Sequence, residues 1–519
     1  MNSLSTARLL ALLALAPSGS VHALAHPPQE ATAQEASAAD AVRPLVSSLF
    51  LHPERLNLRD GSWLTIERGV LVVPVVRAQP DSKPISVEVY RFRAQEGADP
   101  NTPPRFELHG GPGWEGLGPV LSAPGGYEQQ IEPMTAISDV VVVGQRGIGS
   151  SVPNTSCRGF EEGIAEDTPD EEAVRQACTA CRDYWAGQGY DLSGFNVIEA
   201  AADVDDVRRH LGYDRITLTG GSFGSHWAMA VMRYHPQGVA RAVLNGMEGP
   251  DHTYDMPSGV LGALEKMAAQ AEASPALRDD VPEDGLIEAL RFLAESLDES
   301  PVELEVRDPE TRRMVPFAFD GDAVRDVAMG YSDRVNSRRG VASWPADVIR
   351  LYRGEFDRPA QLLADRRAGD NGSIPTASFF LLDCGSGITA EREARLNADP
   401  AAQVLGNMSA FYQQACPVWG VDLGDDFRTG FTTDIPTVIV HGTWDVSTPF
   451  DNALELLGSF QDHHFVVVEG GTHGALREAL GHSSEFRREL TEFLASGDRE
   501  GLPDTVTLPP IQWQRVSGS

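Results

Sequence analysis

The stretch Thr217-Leu218-Thr219-Gly220-Gly221-Ser222-Phe223-Gly224-Ser225-His226-Trp227 sets three glycines around one serine. Arg215 to Thr219 reads as a strand, and Trp227-Ala228-Met229-Ala230-Val231-Met232 has helical spacing. Gly220-Gly221-Ser222-Phe223-Gly224 therefore falls on a predicted strand-to-helix turn. A serine on such a turn is held strained and exposed, where a nucleophile can act. A glycine-rich turn with an incidental serine fits this stretch equally well, so the rest of the chain must decide.

A serine nucleophile needs a base to take its proton and an acid to orient that base. Both candidates follow later, each just past a predicted strand. Pro436 to His441 leads into Gly442-Thr443-Trp444-Asp445, and His464 to Val468 leads into Glu469-Gly470-Gly471-Thr472-His473-Gly474. Open α/β sheets build their sites beyond the carboxyl ends of strands. Asp445 would then orient His473, and His473 would deprotonate Ser222. Each residue alone is more simply a turn or structural residue; it is their order and strand context that points to chemistry. Acyl transfer also needs oxyanion donors. The backbone N–H of Phe223 is one candidate, and that of Gly111 in His109-Gly110-Gly111-Pro112-Gly113 is the second.

The chain has 519 residues, of which 41% are hydrophobic and 23% charged, enough for one large domain with an insertion or for two domains. A net charge of −33 argues against nucleic acid and anionic membrane as partners. It suits cationic ligands, including the α-amino end of a peptide, although a solvated acidic surface explains it as simply. Arg8, the apolar run Leu9 to Ala16 and Ala23-Leu24-Ala25 before His26 predict a secretory signal peptide over 1–25. The mature protein is then expected in a periplasm or outside the cell, and no later run is long enough to cross a bilayer. Export permits disulfides. The five cysteines predict bridges from Cys157 to Cys181 or Cys178 and from Cys384 to Cys416, with one thiol left over.

Residues 26–45 lack periodicity and read as a mobile leader. Strand signals follow at Gly69 to Val76, Ile85 to Phe92, Arg105 to Leu108 and Asp139 to Val143. The alternation of Ile85 to Phe92 predicts a half-buried strand. From 251 to 432 helical stretches dominate, at Val260–Glu272, Leu286–Leu297, Ala346–Ala364 and Ala402–Gln414, with a hairpin near Val302–Phe319. Strands then resume, and Glu478 to Ala495 closes as a helix. The pattern predicts an α/β fold with a mainly parallel, doubly wound sheet. Its core would comprise 46–250 and 433–519, with a helical cap over 251–432.

The HGGPG stretch, Gln145-Arg146-Gly147 with Gly149 and Ser150, the GGSFG turn, the Asp445 loop with Thr448-Pro449, and Gly471-Thr472-His473-Gly474 together resemble one serine peptidase family. That family contains the prolyl and tripeptidyl aminopeptidases. The resemblance spans most of the mature chain and is closer to the tripeptidyl branch. It implies an α/β-hydrolase fold with a cap, and release of short units from peptide N-termini without metal or cofactor. The chain departs from the family at Gly144, Phe223 and Thr472, where many relatives carry Asp, Tyr and Gly.

An exopeptidase must recognise a free α-ammonium, which buried carboxylates do well. Glu248 is the first candidate and Glu115 the second, each against the simpler reading of a solvated loop carboxylate. Trp114 and Trp227 would line an apolar pocket or pack in the core. The combined reading is a secreted serine aminopeptidase acting on short peptides with a free N-terminus. An esterase on the same scaffold and a non-catalytic binding protein are the alternatives.

Overall fold

Four consecutive valines, Val140–Val143, have no polar face to offer water, and they form a strand buried on both sides (β5). It lies inside a ten-stranded sheet whose other members are β1 (Ser48–Asn57), β2 (Trp63–Pro74), β3 (Pro84–Phe92), β4 (Arg105–Leu108), β6 (Ile216–Ser222), β7 (Val239–Met247), β10 (Thr437–Gly442), β11 (His463–Glu469) and β12 (Thr505–Thr507). The order is β1-β2-β3-β5-β4-β6-β7-β10-β11-β12. The β1-β2-β3-β5 pairings are antiparallel, and every pairing from β5 to β12 is parallel. A separate hairpin pairs β8 (Val302–Arg307) with β9 (Met314–Phe319). This computed structural model describes residues 47–516 apart from 59–60, 114–116, 118–126, 128–130, 161–163, 165–169, 310, 330–336 and 370–375. The predicted signal peptide and leader lie outside the described residues.

The chain passes from β4 to β5 on one side and returns to β6 on the other. Loops leaving β4 and β6 therefore diverge and open a crevice at their carboxyl ends, the usual binding position in such sheets. HGGPG leaves β4 and the Ser222 turn leaves β6.

Three local expectations are corrected. The strand expected from Gly69 begins at Trp63 and pairs with β1, whose residues are never fully buried and so carry little apolar signal. β3 is buried on both faces rather than one. Its polar members are paired instead of solvated: Tyr90 donates to Glu88 at 2.7 Å, and Arg91 meets Asp139 at 2.7 Å. The long helices expected at 346–364, 402–414 and 478–495 are each two. Gly354 and Gly406, at φ +79° and +71°, divide the first two. Ser483 divides the third, its hydroxyl accepting from the Phe486 N–H as an N-cap at 3.1 Å.

The helices that matter most for the site are α1 (Asp170–Gly187), α2 (Val197–His210), α3 (Phe223–Tyr234), α4 (Ala377–Ser386), α5 (Ala410–Trp419), α6 (Ala475–His482) and α7 (Ser484–Ser496). Helices α4 and α5 share the apolar core of α1, α2 and α3 on the sheet. The helices between Pro257 and Leu405, apart from α4, mostly bury a second core of their own around Leu264, Leu290 and Trp344. Disulfides join Cys157 to Cys181 and Cys384 to Cys416, the latter tying α4 to α5. The unpaired thiol is Cys178, buried on α1, and burial raises its pKa to about 11.

Arg146 is fully buried behind the crevice. It donates to Asp203 at 2.6 and 3.0 Å and to the carbonyl of Val75 at 2.6 Å. Asp203 also receives Arg77 at 2.6 Å, and Arg77 reaches Glu199 and Asp206 at 2.7 and 2.8 Å. Two guanidiniums thus hold three carboxylates of α2 in one buried network. Asp203→Ala would leave the buried Arg146 with Glu199, at 3.5 Å, as its remaining counter-charge among the described residues, and should cost about 3–5 kcal/mol of stability in urea denaturation. A loss below about 1 kcal/mol, the scale of an exposed pair, would contradict this account.

Candidate active site

The glycines around Ser222 are set by contact distances. A β-carbon at Gly224 would stand 2.1 Å from the carbonyl oxygen of Leu108, and one at Gly220 would stand 2.2 Å from that of Gly224. One at Gly110 would lie 3.0 Å from both the Gly221 carbonyl and the Ser222 β-carbon. The turn after β6 therefore lies backbone to backbone against the loop after β4. Ser222 has φ +58° and ψ −136°, a conformation costly for a residue with a side chain. Ser225, one turn into α3, donates to the Ser222 carbonyl at 2.7 Å and accepts from the Glu248 N–H at 2.9 Å. That bond ties the end of β6 to the end of β7.

The HGGPG loop is held by one buried side chain. Gln145 donates to the carbonyls of Gly110 and His109 at 3.0 and 3.1 Å, and accepts from the Gly113 N–H at 2.8 Å. Gly111 sits between these anchors at φ +113°, a region that favours glycine. The neighbouring Arg146 fastens the same turn to α2. The Gln145-Arg146-Gly147 turn is therefore a support for the loop that carries the candidate oxyanion donor.

Asp445 and His473 meet on the other side of the crevice. His473 Nδ1 lies 3.0 Å from each carboxylate oxygen of Asp445. Asp445 is buried and accepts in addition from the N–H groups of Ser447 and Thr448, at 2.9 and 3.0 Å, and from the Thr448 hydroxyl at 3.0 Å. Burial raises the carboxyl pKa, but the His473 charge and these hydrogen bonds outweigh it and hold Asp445 below its usual range. Burial likewise opposes charge on His473, but the charge and hydrogen bond of Asp445 prevail and raise its pKa. A histidine so placed holds Nδ1–H toward Asp445 and turns Nε2 to the cavity. Thr472 is accounted for: its N–H and hydroxyl both donate to Glu478 of α6, at 2.9 and 2.7 Å, which fixes the His473 loop.

Ser222, His473, Gly110 and Gly111 line one cavity of about 510 Å³ together with Glu248, Asp255, Asp383 and Tyr412. Asp383, on α4, is buried and accepts from the Tyr412 hydroxyl of α5 at 2.7 Å. Asp255 accepts from Asn452 at 3.2 Å. Neither Lys nor Arg lines this cavity among the described residues. Burial, then the neighbouring charges of Asp383 and Asp255, pushes Glu248 well above the usual carboxylate range. Burial does the same to Asp383, and it raises Asp255 to about 7. The arrangement is short of positive charge.

Of the residues expected at the site, Ser222, Asp445, His473, Gly111 and Glu248 come together around this cavity or directly behind it. Phe223 is buried at the first turn of α3, beside Ser222. Trp227 is wholly buried among core residues and does not line the cavity. Trp114 and Glu115 lie outside the described residues. The sequence reading missed Asp255, Asp383 and Tyr412. Asp383 carried a usable signal, being an acid inside the apolar helix Ser378-Phe379-Phe380-Leu381-Leu382-Asp383-Cys384.

With this geometry in view, comparison with known proteins places the chain. Residues 108–322 match the α/β hydrolase fold family and residues 402–506 match the TAP-like protein family. The chain has the α/β-hydrolase fold, with a TAP-like match over residues 402–506. Serine protease Hip1 of Mycobacterium tuberculosis is 27% identical to this α/β-hydrolase over 201 residues, 35% of this chain and 36% of Hip1. YuaR of Escherichia coli K12 is 22% identical over 148 residues, 28% of either chain. The matched part thus spans about a third of these curated relatives. An esterase structure from Exiguobacterium antarcticum is 15% identical, covering 86% of this chain and 99% of that one with a TM-score of 0.32.

Replacing Asp445 by Asn removes the charge that raises the His473 pKa. The His473 titration followed by NMR should therefore move to lower pH, and fluorophosphonate labelling of Ser222 should slow by roughly 10⁴-fold. An unmoved titration would show that the two residues are not coupled.

Proposed function

We propose that this α/β-hydrolase is an exported serine aminopeptidase that releases short units from peptide N-termini. Ser222 attacks the scissile carbonyl and His473 takes its proton, oriented by Asp445. The N–H groups of Gly111 and Phe223 receive the oxyanion. His473 then protonates the leaving amine, and water hydrolyses the acyl-enzyme.

One observation carries the peptidase reading: the three carboxylates Glu248, Asp255 and Asp383 lie beside Ser222 in one cavity that no lysine or arginine lines among the described residues. Like charges gathered in a low-dielectric space are costly unless a cation joins them. The α-ammonium of a peptide is a cation of the right size, and its distance from the scissile bond would set the length of the released unit. An ester substrate without an amine would leave this cluster uncompensated. The Hip1 likeness and the TAP-like match agree with a peptidase. Two disulfides fit a chain that works outside the reducing cytoplasm.

Mono-, di- and tripeptidyl anilides, free and N-acetylated, test this beside p-nitrophenyl esters, using the wild type and Ser222→Ala. Free amines should turn over, acetylation should block them, and the variant should be inactive. Turnover of esters alone would discard the aminopeptidase assignment.

The carboxyl pKa shifts also fix a pH dependence. Asp255 titrates near 7, so the cluster carries more protons below that pH and more negative charge above it. An ammonium ligand needs the charged form, so KM for free-amine substrates should fall as pH rises through about 7. For stability the sign is opposite. The raised pKa means that these groups favour the folded state below their unfolded pKa, and lose that contribution as pH rises through 7. Asp383→Asn should therefore stabilise the protein at pH 8, by about 1–3 kcal/mol, while raising KM for free amines. If it lowers stability and leaves KM alone, Asp383 is a structural residue.

A further inference from the structure

A second cavity of about 620 Å³ adjoins the first, and His109 and Asn245 line both spaces. Its walls are apolar side chains of α6, α7 and residues 131–134, among them Met134, Leu476, Leu480 and Leu490. Its floor is the polar face of the sheet. Two buried atoms there, His109 Nε2 and Thr219 Oγ1, have no hydrogen-bond partner among the described residues. Both residues line the cavity. Gly474, next to the candidate base His473, borders it, and Arg477 and Arg487 stand at its exposed rim.

The two cavities have opposite charge. The first is lined by Glu248, Asp255 and Asp383; the second is lined by Arg105, Arg477 and Arg487 with Glu107 as its one carboxylate among the described residues. A short peptide has the same polarity, with an ammonium at one end and a carboxylate at the other. We propose that the second cavity is the subsite for the leaving side of the substrate. It takes an apolar side chain on the residue after the scissile bond, and Arg477 and Arg487 at its rim receive the carboxylate of a short peptide. The inference rests on the serine aminopeptidase reading above, and it narrows the substrates to short, unblocked peptides with an apolar residue after the cleaved bond. The unpaired His109 and Thr219 atoms then have a role, offering hydrogen bonds to the backbone or water of the bound leaving group.

The test holds the acyl unit constant and varies what leaves. The best acyl unit from the anilide panel is joined to leucine, leucinamide, glycine or methanol (as the methyl ester). The wild type should favour leucine over glycine by roughly 10- to 100-fold in kcat/KM, the scale of one buried leucine side chain. It should favour leucine over leucinamide by about three- to fivefold, the scale of an exposed charge pair. Leu480→Trp, which fills the cavity from α6, should bring the leucine and glycine substrates within about twofold of each other. Arg477→Gln, on the exposed rim, should erase the preference for the free carboxylate. Methyl-ester turnover by each variant is the reference for a working centre. A wild type indifferent to leucine against glycine overturns the inference. So does a Leu480→Trp protein that alters preference among acyl units and not among leaving groups. If the wild type does not cleave even the methyl ester, the serine-acyl reading fails and this subsite falls with it.

Discussion

Only hydrogen fits between the turn after β6 and the loop after β4, because the Leu108 carbonyl lies 2.1 Å from where a Gly224 side chain would begin. This backbone-to-backbone contact is the constraint on which the site depends. It brings HGGPG to the side of Ser222, and Gly110 and Gly111 line one cavity with it. It also forces Ser222 to φ +58°, a conformation costing on the order of 1–3 kcal/mol. The surrounding structure sustains that cost through Ser225, which is bonded to both the Ser222 carbonyl and the Glu248 amide. The Gln145 clamp and the Arg146 anchor do the same for the facing loop.

Two buried acidic groups in this molecule have opposite electrostatic design. On α2, Asp203, Asp206 and Glu199 face Arg77 and Arg146 at hydrogen-bond distance, so most of their charge is balanced within the protein. Around the Ser222 cavity, Glu248, Asp255 and Asp383 have no lysine or arginine lining the space with them among the described residues. In the first group Arg146 and Arg77 hold Asp203 below the usual carboxylate range despite its burial, and the network holds the framework. The second raises carboxyl pKa values and lowers stability, a common condition of binding sites. The same contrast explains why a substitution on α2 should weaken the fold while Asp383→Asn should strengthen it.

Much of the candidate site was legible because its chemistry needs particular residue types at local spacings. Glycines mark where backbones touch, and Ser222, Asp445 and His473 each follow a strongly apolar strand. The strands of the central sheet were readable for the same reason: runs such as Val140–Val143 can be satisfied only by burial. Less legible was β1, whose exposed edge position leaves no apolar pattern. The helix breaks at Gly354, Gly406 and Ser483 were missed because a cap or a positive φ depends on local geometry that periodicity does not carry.

The sequence by itself determined the sheet-and-helix alternation, the glycine-rich turn at Ser222 and the candidate loops of Asp445 and His473, because each is written within a few residues. Tertiary structure alone decided which distant side chains share a cavity. Asp383 is separated from Glu248 and Asp255 along the chain by more than a hundred residues and reaches them through the packing of α4 on the sheet core. Tertiary structure also removed Trp227 from the cavity wall, since a helix has one face toward the core and only packing sets which residues occupy it. Distance in space, and with it charge density and burial, is a property of the folded chain; that is why the candidate Ser222, Asp445 and His473 could be named in advance, and Asp255 and Asp383 could not.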